Sequence, residues 1–182
     1  MTLRLDNCFE RLKSTNKKAL ITFLTAGDPN YDLSLELIKS LPEAGADIIE
    51  IGMPFSDPMA DGPAIQASSL RAINSGHKME KTFEMIESFR KDNSRTPIIL
   101  MGYFNPIYNY GVDSFIKKII EIEVDGVIVV DLPPEEDNEL CNAIESADLS
   151  FIRLVTPTTN TDRLNKILQK TSGFLYYVSI AG

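Results

Sequence analysis

The sequence has few of the residues on which several common kinds of site depend. Its 182 residues include two cysteines, one histidine and no tryptophan. Two cysteines cannot build a disulfide framework, and free thiols are typical of a reducing compartment such as the cytoplasm, where we expect the protein to work. A zinc site with several histidines is excluded, and a serine hydrolase would depend on His77 alone. We expect His77 to be exposed, because it follows Gly76 in a predicted loop before a helix.

Long apolar runs and an excess of positive charge are also missing. The longest apolar runs, such as Val127–Val130, are far shorter than the roughly 20 residues that a membrane-spanning helix needs. The 18 basic and 26 acidic residues give a formal net charge of −8. We therefore expect neither a nucleic acid nor an anionic membrane as a partner, because both repel a net anion. With 43% hydrophobic residues, the chain can bury a real core.

The sequence does contain a repeated pattern, in which a short apolar run is followed by a turn and then by a longer amphipathic stretch. The predicted strands are Ala19–Leu24, Asp47–Gly52, Pro97–Gly102, Gly126–Asp131, Phe151–Val155 and Phe174–Ser179. The predicted helices are Leu5–Leu12, a stretch after Pro29, Pro63–Asn74, Met79–Lys91, Val112–Glu121, Pro134–Ala147 and Thr161–Lys170. The strands are continuously apolar rather than alternating, which is typical of buried parallel strands covered by helices.

The helix after the first strand has clear start and stop signals. Asp28 is the predicted N-cap, with Pro29 at the first helical position, and Pro42 is predicted to end or bend the helix. The apolar stripe expected to face the core is formed by Leu33, Leu37, Ile38 and Leu41.

Two α/β architectures fit about six such units: a doubly wound open sheet, and a (β/α)8 barrel, which needs eight units and about 250 residues. The chain stops at Gly182, immediately after the sixth predicted strand. A central parallel strand without a following helix would leave its apolar face exposed, so we expect that the chain is truncated at this point. We see no linker or low-complexity tract, and residues 1–182 are predicted to form a single domain.

A single acidic residue, Glu50, interrupts the second predicted strand. The period of two places it on one face with Ile48 and Gly52, and places Ile49 and Ile51 on the other. Near the carboxyl end of the strand it would reach the edge of the sheet where α/β active sites form. Partial desolvation there would raise the pKa of Glu50 towards neutrality, which suits a general acid or base. A carboxylate paired with a buried arginine or with backbone amides is an equally good interpretation at this point.

The loop after this strand contains two prolines and two aspartates. Pro54 and Pro58 each fix one backbone angle, so the loop can hold Asp57 and Asp61 in defined places. One carboxylate on the strand and one on its loop could share one acid/base reaction. For either aspartate alone, turn formation or helix capping is the more common role.

Glu50 and Gly52 stand in an apolar frame and are followed, two residues later, by the sequence FSDPMADG at residues 55–62. This arrangement closely resembles the signature of the tryptophan synthase α subunit family, with all of its fixed residues at the right spacing. Segments similar to the family also lie at residues 23–29, 43–47, 62–66, 101–106, 130–136 and 176–179. The resemblance therefore covers essentially the whole chain.

The resemblance implies a (β/α)8 barrel that cleaves indole-3-glycerol phosphate to indole and glyceraldehyde 3-phosphate by a retro-aldol reaction, without a metal or an organic cofactor. It implies that Glu50 is the general acid/base. It also implies that Asp61 binds the indole N–H and stabilises the positive charge that develops on the ring. It further implies that Phe23, Met101 and Leu132 form walls of the indole slot. Tyr176 is implied to form a hydrogen bond near the reacting centre.

The resemblance also implies a partner, the β subunit of tryptophan synthase, which uses pyridoxal phosphate to make tryptophan from indole and serine in an α2β2 heterotetramer. Asp57 would contact it, together with a predicted loop that contains Asn105 and Pro106 and whose exposed aromatic residues suit an interface. An alternative function is a partner subunit that docks on and stimulates the β subunit but has lost its own catalysis. A flavodoxin-like ligand-binding domain is disfavoured, because no glycine-rich phosphate loop follows the first strand.

Two features depart from the family pattern. The family continues past its sixth strand with a mobile loop and two further units that hold the substrate phosphate, and these are not within the 182 residues. Ile180 stands where many relatives have arginine. We therefore expect the catalytic pair to be present and the phosphate-binding residues to lie outside this chain, which alone would bind substrate poorly.

Overall fold

Six parallel strands form one sheet whose spatial order follows the chain. A computed structural model describes residues 3–179 of the protein. Its strands are β1 (Ile21–Thr25), β2 (Ile48–Gly52), β3 (Ile98–Gly102), β4 (Gly126–Val129), β5 (Ser150–Val155) and β6 (Leu175–Tyr177). Each strand pairs in parallel with the next, and the order β1-β2-β3-β4-β5-β6 has no reversal. A doubly wound sheet requires such a reversal, so that alternative is excluded and the fold is an incomplete (β/α)8 barrel.

Eight helices accompany these strands within the described residues. They are α1 (Leu3–Ser14), α2 (Tyr31–Ser40), α3 (Pro63–Asn74), α4 (Met79–Asp92), α5 (Phe104–Tyr110), α6 (Val112–Glu121), α7 (Asn138–Ser146) and α8 (Thr161–Gln169). Most predicted elements are confirmed to within a few residues. None of the helices in residues 3–179 is both long and apolar enough to cross a membrane. The terminal residues 180–182, including the Ile180 departure, lie outside the described part of the chain.

Two helices differ from the prediction. The predicted loop at residues 103–106 is the start of α5, whose proline lies in the first turn, where a missing N–H is tolerated. Helix α7 begins at Asn138 rather than at Pro134, because residues 133–136 form a turn closed by a hydrogen bond from the Glu136 N–H to the Pro133 carbonyl.

The start of α2 also differs from the prediction. Asn30, not Asp28, caps the helix, because its side-chain oxygen accepts the Leu33 N–H at 3.0 Å. The Asp28 carboxylate instead receives two hydrogen bonds from Arg71 of α3, at 2.7 and 2.8 Å. The helix ends at Ser40, ahead of the proline that was predicted to stop it.

The predicted apolar stripe of α2 is only half correct. Ile38 is fully buried and Leu41 packs against the core, but Leu33 and Leu37 are 41% and 45% exposed. Ser34 takes the place facing the sheet, where its hydroxyl accepts the Gly27 N–H at 3.0 Å. The helix is therefore rotated so that a polar residue, which ties it to the loop after β1, occupies a core position.

The alternation of side chains along the strands produces two separate apolar clusters. Residues such as Ile49 and Ile51 of β2 face the helices and belong to the larger cluster. Ile48 and its counterparts on the next strands face the barrel interior, where they pack with α1; this inner cluster contains Leu5, Cys8, Leu12, Ile48, Ile99, Ile128 and Ile152. The predicted division of β2 between its two faces is confirmed, and it places Glu50 on the interior face.

Candidate active site

Glu50 lies on the interior face of β2, two residues before Gly52, the strand's last inward position. It is 2% exposed, and its Oε1 has no hydrogen-bond partner in the described part of the chain. No ion pair involves Glu50 within residues 3–179, so the alternative of a carboxylate paired with a buried arginine is not supported. Desolvation raises the pKa of Glu50 to about 7. The carboxyl group is therefore divided between its acidic and basic forms near neutral pH, as the sequence led us to expect.

Asp61 lies at the end of the loop that follows β2, immediately before the N-cap of α3. It is half-buried, and its Oδ2 accepts a hydrogen bond from the Tyr103 hydroxyl at 3.1 Å. The N-cap of α3 is Gly62, which receives no side-chain cap, so the carboxylate of Asp61 is not used for helix capping. Burial raises the pKa of Asp61, and the hydrogen bond from Tyr103 opposes this by lowering it.

One narrow pocket at the carboxyl ends of the strands brings several predicted residues together. Its lining includes Phe23, Asp61 and Met101, together with Gly52, the next inward residue after Glu50. Its volume of about 20 Å³ is close to the space of a single water molecule. This volume is smaller than that of a bicyclic ring.

Glycine at position 52 allows the close approach of Phe23. A Cβ atom built on Gly52 would lie 2.5 Å from the Phe23 ring, which is closer than real Cβ contacts. Phe23 is paired with Glu50 in the strand register and is 36% exposed. The ring of Phe23 therefore packs closely against the backbone of β2 at Gly52.

Tyr176 lies on β6, at the other end of the sheet from β1, and faces the barrel interior. It packs partly buried against the inner cluster. Burial raises the pKa of the Tyr176 phenol, and the charge of Glu50 raises it further. The phenol is therefore close enough to sense the ionisation of Glu50, as expected for a group near the reacting centre.

Leu132, predicted as a wall of the indole slot, is not among the residues that line this pocket. It packs against the outer cluster and lines a separate cleft with Arg153. Strand β4 ends at Val129, and the residue that faces inward beyond it is Val130, which does line the pocket. Counting by two from Ile128 would have selected Val130, so the signal was present in the sequence.

The predicted partner residues lie on two segments: Asp57 is in the loop after β2, and Asn105 and Pro106 are in the first turn of α5. Asp57 and Asn105 are exposed and Pro106 is half-buried. A cleft of about 260 Å³ separates the loop after β2 from α5, and Pro54, Pro106 and Asn109 are among its lining residues.

The aromatic residues of this face differ from the prediction. Tyr103 was expected to be exposed, but it is 3% exposed because its ring packs against Phe55. Phe104 is half-buried against the outer cluster. Tyr108, one turn along α5, is 59% exposed and is the aromatic residue that this face presents.

His77 also contradicts the expectation of an exposed residue. It is 6% exposed, and its Nε2 is 2.8 Å from the Thr82 hydroxyl. Its ring packs on Gly27, where an added Cβ atom would lie 2.2 Å from Nδ1. Burial lowers the pKa of His77 to about 4, so the ring is uncharged at neutral pH. Nothing in the local sequence indicates this, because the contact joins loops that are far apart in the chain.

A family model of the tryptophan synthase alpha chain matches residues 9–182. The chain belongs to the tryptophan synthase alpha chain family. The match includes the strand of Glu50, the loop of Asp61 and the helix α5.

Solved structures of alpha chains agree with this assignment over the length that they share. Subunit alpha from Legionella pneumophila str. Paris has a TM-score of 0.95 and 44% identity, covering 98% of this chain and 68% of that one. Tryptophan synthase from Mycobacterium tuberculosis has a TM-score of 0.93 and 33% identity, covering 100% and 70%. The tryptophan synthase complex from Pyrococcus furiosus has a TM-score of 0.84 and 42% identity, covering 88% and 66%. The incomplete barrel is thus the fold of the alpha chains over about two thirds of their length.

Proposed function

We propose that this alpha chain cleaves indole-3-glycerol phosphate to indole and glyceraldehyde 3-phosphate by a retro-aldol reaction, with Glu50 and Asp61 as the catalytic pair. The observation that carries the proposal is the carboxyl group of Glu50, which is buried without a partner for Oε1 and has its pKa raised to about 7. The next inward residue of the same strand lines the pocket that contains Asp61.

Glu50 moves a proton in each direction during the reaction. In its acid form it protonates C3 of the indole ring, which turns the ring into a cation that can accept electrons. The carboxylate then takes the proton of the glycerol hydroxyl. The bond between C3 and the glycerol carbon breaks, its electron pair returns to the ring, and the hydroxyl carbon becomes the aldehyde of the product. Glu50 ends the cycle protonated, so one residue with a pKa near neutrality serves both steps.

Asp61 supplies the fixed negative charge that these reaction steps require. After protonation of C3, positive charge develops at the ring nitrogen. A carboxylate that accepts the ring N–H stabilises that charge more strongly in the transition state than in the substrate. The pair therefore divides the work: Glu50 carries the mobile proton and Asp61 remains an anion.

The walls of the pocket suit a flat apolar ring. Phe23 of β1 and Met101 of β3 line the pocket together with Val130, which follows β4 and stands in place of Leu132. Tyr176 completes the interior near Glu50 and can donate a hydrogen bond to the reacting side chain of the substrate. We propose these four residues as the contacts of the indole and glycerol groups.

The face formed by the loop after β2 and by α5 is the proposed docking site of the β subunit in an α2β2 heterotetramer. Asp57, Asn105 and Pro106 lie there, and Tyr108 adds an exposed aromatic ring. Among the matched structures, the Pyrococcus furiosus protein is a tryptophan synthase complex. We place this activity in the cytoplasm, where the buried thiols of Cys8 and Cys141 stay reduced.

The alternative of a docking subunit without catalysis is not favoured. Burying a carboxyl group without a partner is costly for folding. A chain retained only for docking would gain nothing from keeping Glu50 in that state together with Asp61 in the adjacent pocket.

The direct test is to incubate the chain with indole-3-glycerol phosphate, alone and with a β subunit, and to measure indole and glyceraldehyde 3-phosphate. The substrate is supplied in large excess over the chain. We expect the two products to form in equal amounts. A folded chain that releases no indole under either condition, or releases indole without the aldehyde, would contradict the proposal.

A further inference from the structure

The hydroxyl group of Tyr103 contacts two groups of the loop that follows β2: the backbone N–H of Ala60 and the carboxylate of Asp61. We propose that Tyr103 is a positioning residue that aims the Asp61 carboxylate and keeps it in its anionic form while Glu50 holds the proton. The inference rests on the proposed function for the use of the two carboxyl groups, and on hydrogen-bond geometry for the role of Tyr103.

The direction of the hydrogen bond to Asp61 is fixed by a second hydrogen bond. The Ala60 N–H donates to the Tyr103 oxygen at 2.9 Å. A backbone N–H can only donate, so the phenol oxygen is the acceptor in that contact. The single hydrogen of the phenol is then directed to Oδ2 of Asp61, at 3.1 Å. Tyr103 therefore presents a donor to the carboxylate.

The phenol is held rigidly where it makes these contacts. Tyr103 is 3% exposed, and its ring centroid lies 5.2 Å from that of Phe55. It directly follows Gly102 of β3, and the next residue, Phe104, donates its N–H to Oδ1 of Asp131 at 2.8 Å. The backbone is thus held on both sides, and the hydroxyl group can orient Asp61 without losing conformational freedom of its own.

The two carboxyl groups of the site need opposite charge states, although burial raises the pKa of both. A hydrogen bond from a neutral donor stabilises the anionic form of a carboxyl group more than its protonated form. Asp61 receives such a bond, whereas Oε1 of Glu50 has no partner in the described part of the chain. Burial and the neighbouring carboxylates raise the pKa of Tyr103 to about 12, so the phenol remains a donor throughout the working pH range. Tyr103 therefore lowers the pKa of Asp61 relative to that of Glu50, so that Asp61 can be an anion while Glu50 holds its proton.

The first test is a carbon-13 NMR titration of the Asp61 carboxyl group in the wild type and in the Tyr103→Phe variant. The signal is assigned by its absence in Asp61→Asn. Phenylalanine keeps the ring against Phe55 and removes only the hydroxyl, so we expect the titration midpoint of Asp61 to move to higher pH by about one pH unit. The midpoint of Glu50 should stay within a few tenths of its wild-type position.

The matched control is Tyr108→Phe, which removes an exposed phenol from the same helix region. It should leave the Asp61 midpoint where it is in the wild type. An Asp61 midpoint that is the same in the wild type and in a folded Tyr103→Phe variant would overturn the proposal. So would an equal movement of Asp61 and Glu50, because this would indicate a general loosening of the site.

A reciprocal measurement decides the question even if Tyr103→Phe does not fold. The charge of Asp61 and its hydrogen bond contribute to the raised pKa of Tyr103. The Asp61→Asn variant, which alters a surface loop, should therefore lower the ionisation midpoint of the Tyr103 phenol, measured by NMR with carbon-13-labelled tyrosine. An unchanged phenol midpoint in that variant would contradict the proposal.

Neither titration depends on turnover, so this inference and the proposed function can fail separately. Titrations that move as expected in a chain that forms no indole would contradict the proposed function alone. Normal indole release with no change in the Asp61 midpoint would contradict the role of Tyr103 alone. If both stand, Tyr103→Phe should lower kcat for indole release by roughly tenfold with KM nearly unchanged, because the charge on Asp61 acts in the transition state.

Discussion

Glu50→Gln is expected to lower kcat/KM for the cleavage of indole-3-glycerol phosphate by about a thousandfold, the usual contribution of a positioned general acid or base. Glutamine has nearly the size and shape of glutamic acid and fits the same buried space on β2. It cannot give a proton to C3 or take one from the glycerol hydroxyl. The measurement is indole release under equal conditions for the variant and the wild type.

A loss of activity in Glu50→Gln must be distinguished from misfolding of the variant. The pH dependence of the free energy of unfolding makes this distinction. The folded pKa of Glu50, about 7, lies above its ordinary value of 4.5. The folded state therefore holds the proton more tightly than the unfolded state. The stabilisation that this provides is complete below pH 4.5 and is lost as the pH rises to 7, by up to about 3 kcal/mol.

Glutamine has no proton to lose, so Glu50→Gln should be more stable than the wild type at pH 8 and similar to it at pH 4, measured by urea unfolding. Glu36→Gln, which removes an exposed carboxylate from α2, should change neither stability nor indole release. An active Glu50→Gln variant would contradict the assignment of Glu50. A variant that loses indole release but still stimulates a β subunit would show that docking and catalysis are separable.

Asp61→Asn is expected to lower kcat for indole release by about a hundredfold, with a much smaller change in KM. The amide keeps a hydrogen-bond acceptor for the ring N–H but loses the charge that opposes the positive charge on the ring. Removal of one electrostatic contact to a transition state has effects of this order, and an interaction made mainly in the transition state appears in kcat.

The control for this variant is Asp113→Asn, which neutralises an exposed aspartate in the first turn of α6. It should leave both constants unchanged. A large rise in KM with kcat preserved would show that Asp61 only binds the substrate, and the proposed division of work between the two carboxyl groups would then be wrong.

The sequence was sufficient for the features that depend on local periodicity. Side chains alternate along a strand with a period of two, so the interior position of Glu50 followed from its neighbours Ile49 and Ile51. The burial of both faces of β2 likewise followed from its continuous apolar run. The order of the strands did not follow from any local pattern, because a barrel and a doubly wound sheet use the same units.

The features that sequence reasoning missed depend on contacts between segments far apart in the chain. Tyr103 is 42 residues from Asp61, with which it shares a hydrogen bond, and no local pattern indicates that pairing. His77 is buried because it packs on Gly27 of another loop. The N-cap of α2 is Asn30 rather than Asp28 because Arg71, on a different helix, binds the earlier side chain. In each case a distant partner decided between two locally acceptable structures.

The central claim is that Glu50 is partly protonated near neutral pH because its carboxyl group is buried and its Oε1 has no partner in the described part of the chain. The most direct test is a carbon-13 NMR titration of its carboxyl group in the wild-type chain, with the signal assigned by its loss in Glu50→Gln. The account predicts a midpoint at about pH 7. A midpoint near the ordinary value of 4.5 would show a solvated or paired carboxylate, and the proposed proton transfer to the indole ring would have no donor.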